Sequence, residues 1–309
     1  MEMREDNRMN ELPKVYIVIV NYNATEDTVE CVNYLEKLEY KKYYILVVDN
    51  GSNPPLLKSS KALVMRNEVN LGYAGGANLG IKFALGNGAD YVLLLNNDTI
   101  IKDTTILNKM LEPFSNNPSI GMVGPKILYY KNPEIIWSGG GKVSKYRAVG
   151  IHLNENRSKT AEDIKEVKEV DFLTGCCWLV KKEVFKKLDY LDEKYFMYYE
   201  DMDFCKRVVD NGYKIVYTPF AEIYHKVESS NMGGFLLGYY ATRNRMLFVK
   251  KYYKYLQKIL FYLFFIPTRI AKILFFLITF RIKSANGIIV GFKDGVLKKT
   301  GKQLNIERL

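Results

Sequence analysis

The sequence predicts an α/β protein whose central sheet is mostly parallel and doubly wound over about the first 125 residues. Apolar, β-branched runs alternate with helical patterns at the spacing of βα units, which is typical of such a sheet. These runs lack the two-residue alternation of a half-exposed strand, so we expect them to be buried on both faces. Polar side chains close several of the runs, at the edge where open α/β sheets bind ligands.

Each predicted strand is a short apolar run, and the runs occupy residues 15–20, 44–48, 62–65 and 91–95. The first run ends in Asn21 and Tyr22, and a helical pattern follows it. The second ends in Asp49, and the third leads into a glycine-rich segment that contains Gly76 and Asn78. Glycines at the start of a helix allow backbone N–H groups to approach a phosphate or a ribose closely. The pattern therefore indicates a ligand site along this edge.

The fourth run stops abruptly at Asn96-Asn97-Asp98. A carboxylate at the carboxyl end of a parallel strand could hold a divalent cation against a diphosphate, because such cations prefer oxygen ligands. The alternative is a simple turn with an N-cap for a helix that begins near Asp103. Taken alone, this segment leaves both interpretations open.

The net charge of +11 lies in the C-terminal tail. Residues 243–309 contain fifteen Lys or Arg and two acidic residues, which leaves residues 1–242 at −2. The four cysteines lack the C-x-x-C spacing of a metal site, so we expect reduced, buried thiols. Residues 1–12 are predicted to be a flexible, charged terminus without a secretory signal, and the chain is expected in the cytoplasm.

Two apolar runs dominate the tail, at residues 259–266 and 273–280, with Pro267 and Arg269 between them. Neither run reaches the roughly 18 residues needed to span a bilayer. We therefore expect basic amphipathic helices that lie in the plane of the membrane surface, with a helical hairpin packed on the domain or on a partner subunit as the alternative. Nucleic acid is not expected as a partner, because the aromatic residues form apolar blocks instead of being interleaved for base stacking.

After residue 125 the pattern becomes rich in loops that carry several candidate side chains. Trp137 precedes three glycines and could line a cleft or belong to the core. Glu200, Asp201 and Asp203 begin an amphipathic helix, where the helix dipole alone also favours acidic residues. His225 is one of two histidines, and a lone histidine is commonly structural.

Five motifs occur in an order that is typical of one enzyme family. They are Asn21-Tyr22-Asn23, Val47-Val48-Asp49-Asn50-Gly51-Ser52, the glycine-rich residues 70–78, Leu95-Asn96-Asn97-Asp98 and Tyr199-Glu200-Asp201-Met202-Asp203. Together they resemble the family-two glycosyltransferases with the Rossmann-like GT-A fold, especially the rhamnosyltransferase-like branch. The resemblance covers about residues 15–250. It implies inverting transfer of a sugar from a nucleotide-diphosphate donor to an acceptor hydroxyl, with Mg²⁺ or Mn²⁺ as cofactor.

The resemblance also implies the donor-binding residues, which are Asn21, Tyr22, Asp49, Gly76, Asn78, Asn97 and Asp98. Asp49 would accept a hydrogen bond from the imide N–H of a pyrimidine base. Asp98 would bind the metal, with His225 as a second ligand. Asn96 stands where the acid-any-acid motif of the family has its first acid, so one anionic ligand is missing.

The catalytic and acceptor residues follow from the same resemblance. Inversion needs a base within hydrogen-bond reach of the acceptor hydroxyl, on the face opposite the leaving diphosphate. Asp201 matches the base of the family, and Glu200 lies beside it as the second catalytic residue. Trp137, Gly175 and Asp203 would line the acceptor cleft.

These expectations divide the chain into a flexible terminus (1–12), a donor-binding half (13–125), an acceptor-binding and catalytic half (126–242) and basic membrane-associating helices (243–309). The expected protein is a hexosyltransferase, peripheral on the inner face of the cell membrane. It would use a dTDP- or UDP-sugar, with dTDP-rhamnose as a candidate, and a lipid-linked or polysaccharide acceptor. One alternative is a dinucleotide-dependent oxidoreductase, although the first βα turn contains no glycine. The other is a non-catalytic membrane protein that binds nucleotide sugars.

Overall fold

The computed structural model describes residues 12–56, 61–161, 165–227 and 234–303, so nearly all of the predicted flexible N-terminus lies outside the described residues. The strands in chain order are β1 (Val15–Asn21), β2 (Tyr43–Asn50), β3 (Leu63–Asn67), β4 (Tyr91–Asn96), β5 (Thr99–Ile100), β6 (Ile120–Tyr129), β7 (Ile136–Ser138), β8 (Gly141–Ser144), β9 (Val149–His152), β10 (Lys168–Glu169), β11 (Cys177–Lys181) and β12 (Lys214–His225). The helices are α1 (Thr25–Leu35), α2 (Gly72–Gly86), α3 (Ile106–Asn116), α4 (Lys182–Leu188), α5 (Glu200–Asp210), α6 (Phe235–Tyr252), α7 (Tyr255–Ile278) and α8 (Ile282–Val296).

One sheet organises the described chain, in the order β10-β12-β6-β11-β4-β1-β2-β3, with β5 beside β12 and β7 beside β6. The pairs β1–β2, β2–β3, β1–β4 and β6–β12 are parallel. Strand β11 runs antiparallel between β4 and β6. The predicted α/β class, with a mostly parallel central sheet and a helical C-terminal region, is confirmed.

Strand β4 lies at the centre of this sheet, between β1 and β11. Its side chains from Val92 to Leu95 are completely buried, as the uninterrupted apolar run predicts. Burial ends at the following Asn96, which is partly exposed. The strand therefore delivers its polar end to the carboxyl edge of the parallel strands.

The four cysteines are free and buried, as expected.

Helix α2 contains the glycine-rich segment, and its glycines face the sheet. A Cβ atom on Gly76 would lie 2.9 Å from Val20 Cγ1, and one on Gly80 would lie 2.3 Å from Val18 Cγ1. These glycines allow the helix to approach β1 closely, because any side chain there would collide with the strand. Gly76 thus has a packing role, and its predicted place at the border of a nucleotide stays a prediction.

The predicted boundary between the two halves at residue 125 falls inside strand β6. Strand β6 extends over Ile120–Tyr129 without interruption, and it pairs with β11 and β12 of the second half. The apolar side chains of both halves also share two continuous cores, one on each face of the sheet. The donor-binding and catalytic residues therefore belong to one folded unit.

The C-terminal helices correct two further predictions. The predicted boundary at residue 243 falls inside α6. The two apolar runs of the tail form one helix, α7, which continues through Pro267 for 24 residues. By length and composition α7 could cross a membrane. Each run is too short to do so alone, but the helix joins the two runs without a break at Pro267.

Helix α8 packs against α6 at backbone distance. A Cβ atom on Gly287 would lie 2.2 Å from the Phe235 carbonyl oxygen, and one on Gly291 would lie 2.5 Å from that of Tyr239. The buried Asp294 accepts a hydrogen bond of 2.8 Å from the Tyr239 hydroxyl. The backbones of α6 and α8 are therefore in direct contact, and a larger residue at Gly287 or Gly291 would prevent that contact.

Candidate active site

The sheet brings Asp98 and His225 together at the end of β4. The short strand β5 pairs antiparallel with the end of β12, so that His225 lies opposite Thr99. The Lys226 N–H donates a 2.9 Å hydrogen bond to the Asp98 carbonyl oxygen, which fixes this register. The His225 Nε2 atom lies 3.1 Å from Asp98 Oδ1, and both side chains are buried. Two residues that are distant in the sequence thus form one pair.

This pair fits a divalent cation. Neither ring nitrogen of His225 forms a hydrogen bond to a described residue. Two ligands at right angles on an ion, each at about 2.1 Å, lie about 3.0 Å apart, close to the separation in the pair. Within residues 12–303, apart from the segments left undescribed, no third His, Cys, Asp or Glu completes a cluster of three. A cation bound here would therefore keep positions open for water and for ligand oxygens.

Trp137 packs against the rings of His225 and His152. Its ring centroid lies 4.6 Å from that of His225 and 4.7 Å from that of His152. The carbonyl of Trp137 lies 3.2 Å from His152 Nδ1, and burial lowers the pKa of His152. The indole thus supports the imidazole of His225, and its predicted role in acceptor binding stays a prediction.

The acid pair Glu200 and Asp201 begins α5 after an unusual backbone segment. Phe196, Tyr198 and Tyr199 have φ angles of 65°, 61° and 76°. Residues with a Cβ atom rarely adopt this left-handed conformation, and it persists where the surrounding structure enforces it. The segment turns sharply so that two adjacent acids enter the site at a helix N-terminus, where negative charge is favoured.

The two acids differ in their partners, and this difference distinguishes their charges. Asp201 accepts hydrogen bonds from the N–H groups of Gly175 (3.2 Å) and Met202 (2.7 Å). Glu200 is 6% exposed, and its Oε2 atom has no hydrogen-bond partner in the described residues. Burial raises the pKa of both groups, and the charge of Asp201 raises that of Glu200 further. Because the two N–H groups stabilise the ionised form of Asp201 and Glu200 Oε2 has no such partner, ionisation is favoured at Asp201 over Glu200.

The turn before β11 connects the acid pair to the metal-site candidates. The Asn96 N–H donates to the Cys176 carbonyl at 2.9 Å, and the adjacent Gly175 N–H binds Asp201. The Tyr73 hydroxyl donates to the Gly175 carbonyl at 3.1 Å. Gly175 therefore positions the carboxylate of Asp201, and its predicted contact with the acceptor stays a prediction. Nothing in the sequence points to Tyr73 beyond its place in a glycine-rich motif.

Several predicted donor residues have internal partners, and Asp49 has the largest number of them. Its carboxylate is fully buried and accepts hydrogen bonds from Asn21 Nδ2 (3.0 Å), the Leu56 N–H (3.2 Å) and Arg66 Nη1 (2.5 Å). Asn21 is also fully buried. It donates to Asp49 and accepts from the Thr28 hydroxyl, so it connects Asp49 to α1. These two residues shape the edge of the site, and their predicted contacts with the donor stay predictions. Tyr22, which is 42% exposed, remains available for that contact.

Asn78 and Asn97 also have structural partners. The amide of Asn78 donates to the Leu191 carbonyl (2.9 Å) and to Glu193 Oε1 (2.8 Å), and it accepts from the Leu191 N–H. The amide of Asn97 donates to Thr28 Oγ1 at 3.0 Å. Asn78 therefore fixes α2 to the segment before the acid pair, and Asn97 fixes the end of β4 to α1.

Asp203 has internal partners, and its predicted place in the acceptor cleft stays a prediction. It is fully buried and accepts hydrogen bonds from the four side chains of Tyr195, Arg207, Lys251 and Tyr252. Since Lys251 and Tyr252 belong to α6, this carboxylate connects the catalytic helix α5 to the C-terminal region.

Replacing Asp203 by Ala should therefore lower the free energy of unfolding by about 3–5 kcal/mol, because the change removes a completely buried carboxylate that accepts hydrogen bonds from two cationic and two hydroxyl groups. Urea unfolding of the detergent-solubilised chain would measure the loss. Asp210→Ala is the matched control on the same helix, because Asp210 pairs with Lys206 at an exposed position, and about 1 kcal/mol or less is expected there. Equal losses in the two variants would contradict the assignment.

Helix α6 also supplies two positioning residues that the sequence analysis did not identify. The Asn244 amide donates to the carbonyls of Tyr195, Met197 and Tyr198, at 2.7–2.9 Å. The Arg243 guanidinium donates to the Tyr195 carbonyl at 3.0 Å. Both side chains are completely buried. They fix the left-handed segment that presents the acid pair. From its charge, Arg243 is predicted to belong to an exposed basic tail, whereas the structure buries it with Asn244 against this segment.

Comparison with known proteins agrees with this geometry. Residues 16–189 match the family model described as glycosyl transferase family 2. The chain is 28% identical over 242 residues to a low-salt glycan biosynthesis hexosyltransferase, Agl10, of Haloferax volcanii, covering 76% of this chain and 75% of that protein. It is 25% identical over 253 residues to the dTDP-rhamnosyl transferase RfbF of Shigella flexneri, covering 77% and 80%.

The fold is also similar to a solved structure. The crystal structure of GalNAc-T7 with UDP, GalNAc and Mn²⁺ superposes with a TM-score of 0.62 at 17% identity. The match covers 81% of this chain and 50% of that one. At this identity the similarity concerns the fold, and it agrees with the GT-A architecture that the strand order describes.

Proposed function

Because this chain belongs to glycosyl transferase family 2, we propose that it is an inverting hexosyltransferase that moves a sugar from a nucleotide-diphosphate donor to an acceptor hydroxyl. One observation carries the proposal: the partly buried carboxylate of Asp201, held by the Gly175 N–H, lies across a single turn from the Asp98 and His225 pair. Such a site has a proton acceptor on one side and a candidate diphosphate-binding cation site on the other. Asp98 and His225 would hold Mg²⁺ or Mn²⁺, which when bound would neutralise charge on the departing diphosphate.

The reaction then assigns each protein group a role. The acceptor hydroxyl loses its proton to the Asp201 carboxylate as its oxygen bonds to the anomeric carbon. The bond from that carbon to the diphosphate oxygen breaks on the opposite face, which inverts the configuration and releases a nucleoside diphosphate. The Gly175 N–H orients the Asp201 carboxylate, and protonated Glu200 adds no second negative charge near the attacking oxygen.

We propose a dTDP- or UDP-sugar as donor, with dTDP-rhamnose as a candidate. The name of the Shigella relative supports the rhamnosyl donor. The exposed Tyr22 and the partly exposed Arg66 at the edge of β1 to β3 could contact base and ribose. Transfer with release of nucleoside diphosphate, measured over a panel of nucleotide sugars with Mn²⁺ or Mg²⁺, tests the proposal. No binding and no turnover of any nucleotide sugar with either cation would refute it.

The acceptor is proposed to be lipid-linked or a polysaccharide, and the enzyme to act at the cytoplasmic face of the membrane. The exposed apolar surface of α7 and the fifteen basic residues of the tail support this location. Sedimentation of the full chain with vesicles that contain anionic lipid tests it. A chain that remains soluble without detergent and does not sediment would contradict it.

The pH dependence should separate the two acids. Glu200→Gln resembles protonated glutamic acid, so kcat should stay within about threefold of the wild type, since no general base is lost. Burial raises the pKa of Asp201 above its ordinary 3.8, so activity should fall as the pH falls through that raised value in both proteins. The rate of sugar transfer as a function of pH measures this fall. Glu183→Gln is the control, because it makes the same change at an exposed position. A large loss in Glu200→Gln would instead make Glu200 the base.

A further inference from the structure

A cluster of arginines lies beneath α7, outside the site described above. Arg245 of α6 is 6% exposed, and its Nε atom donates to the Arg147 carbonyl at 2.6 Å. The ring of Phe265 is completely buried and contacts two guanidinium groups. The Cζ atoms of Arg245 and Arg269 lie 5.0 Å and 5.1 Å from its centroid. Three cationic side chains thus converge from α6, α7 and the turn between β8 and β9.

These three cations have no acidic partner in the part of the chain that the structure describes. Among the described residues, no carboxylate forms an ion pair with Arg147, Arg245 or Arg269. The Nε atom of Arg269 is buried and has no hydrogen-bond partner there. Burial lowers the pKa of Arg245, and the charges of Arg269 and Arg147 act in the same direction. Arg147 is exposed and Arg269 is partly exposed, so the cluster is open to solvent on one side while Arg245 is buried. A buried guanidinium beside two further cations is costly unless an anion pairs with it.

The cluster lies between the acid pair and an exposed apolar surface. Tyr199, the residue before Glu200, extends its side chain toward the cluster, and its hydroxyl donates to the Ala148 carbonyl at 2.8 Å. On the other side, α7 exposes large apolar side chains, including Leu263 at 69% and Ile270 at 53%. An anion held here would thus lie one side chain from the catalytic acids and beside a surface for an apolar chain.

We propose that Arg147, Arg245 and Arg269 bind the phosphate or diphosphate that links the acceptor sugar to an apolar chain. The proposal rests on the proposed glycosyltransferase function and names its acceptor class. Guanidinium groups suit phosphate because their N–H groups form paired, charge-assisted hydrogen bonds with its oxygens. The apolar chain would follow α7, and the sugar would extend past Tyr199 toward Asp201.

Binding of geranylgeranyl diphosphate to the full chain in detergent micelles tests the proposal, with geranylgeraniol as the probe that lacks phosphate. Wild type should prefer the diphosphate, and Arg269→Gln and Arg245→Gln should each weaken its binding by about tenfold or more, because charge-assisted hydrogen bonds are lost. Arg281→Gln, exposed elsewhere in the tail, makes the same charge change and should bind normally. Affinity for UDP and dTDP with Mn²⁺ should stay unchanged in all three variants.

The remaining measurements distinguish the possible sources of phosphate. Competition by inorganic diphosphate would support recognition of the phosphate group itself. Equal affinity of wild type for geranylgeraniol and its diphosphate would overturn the proposal, and so would an equal loss in Arg281→Gln. Variants that lose only sedimentation with phosphatidylglycerol vesicles, and keep diphosphate binding, would assign the cluster to membrane headgroups and overturn the acceptor role. Wild type that binds no nucleotide sugar would indicate failure of the proposed function instead. Arg269, which is partly exposed, keeps the test valid if Arg245→Gln does not fold.

Discussion

Replacing Asp201 by Asn is expected to lower kcat for sugar transfer by about 10²–10⁴-fold, because the acceptor hydroxyl loses its general base. The amide keeps the shape of the carboxylate and can still accept a hydrogen bond from the Gly175 N–H. It cannot accept the proton that the acceptor oxygen must lose. The loss should therefore lie in kcat, with little change in donor affinity.

Nucleoside diphosphate release with acceptor present measures the effect, and calorimetric titration with UDP or dTDP measures donor affinity. Asp210→Asn removes a charge from the far end of the same helix at an exposed position and should leave kcat unchanged. Full activity in Asp201→Asn would show that another group takes the proton. A loss of nucleotide affinity equal to the loss of kcat would point to a structural role instead.

The strand ends and the chemistry at them are predictable from the sequence. A continuous apolar run that stops at a polar residue marks the carboxyl end of a buried strand, and β4 ends as this pattern predicts. Asp98, His225 and Asp201 were candidates from their motifs, and the sheet places all three around one turn. Their roles in metal binding and catalysis stay predictions until they are measured.

The partners of buried polar side chains are not predictable in the same way. Asn78 and Asp203 look like ligand contacts in a motif, yet their hydrogen bonds go to residues that approach only when the chain folds. The sequence carries no periodic signal for such contacts. Arg243 and Asn244 illustrate the reverse case, because they look like a basic helix surface but are buried against the segment before α5.

Helix α7 shows a different limit of sequence rules. Proline removes one backbone hydrogen bond and commonly ends a helix, so the sequence predicts a break at Pro267. In the structure Pro267 is exposed, and α7 continues past it. Arg269 did not end the helix either, because its guanidinium lies against Phe265. Length counts that stop at every proline or charge underestimate such helices.

Replacing Asp98 by Asn or His225 by Gln should weaken Mn²⁺ binding by about 100-fold or more and lower kcat/KM at least as much, because the two ligands share one ion and even their supporting contacts commonly contribute 10–100-fold. The geometry leads to this expectation, since the Nε2 and Oδ1 atoms are 3.1 Å apart without the alignment of a hydrogen bond. Electron paramagnetic resonance of Mn²⁺ with UDP present measures binding independently of turnover.

Asp103→Asn is the matched control for this measurement, because Asp103 follows β5 closely but pairs with Lys109 away from the site. Its Mn²⁺ affinity should equal that of the wild type. If Asp98→Asn and His225→Gln bound Mn²⁺ as tightly as this control, the pair would be a structural contact that fastens β12 to β5. If the two variants lost Mn²⁺ together and the Asp201→Asn variant retained it, the metal ligands and the catalytic base would be separable functions on opposite sides of the turn at Gly175.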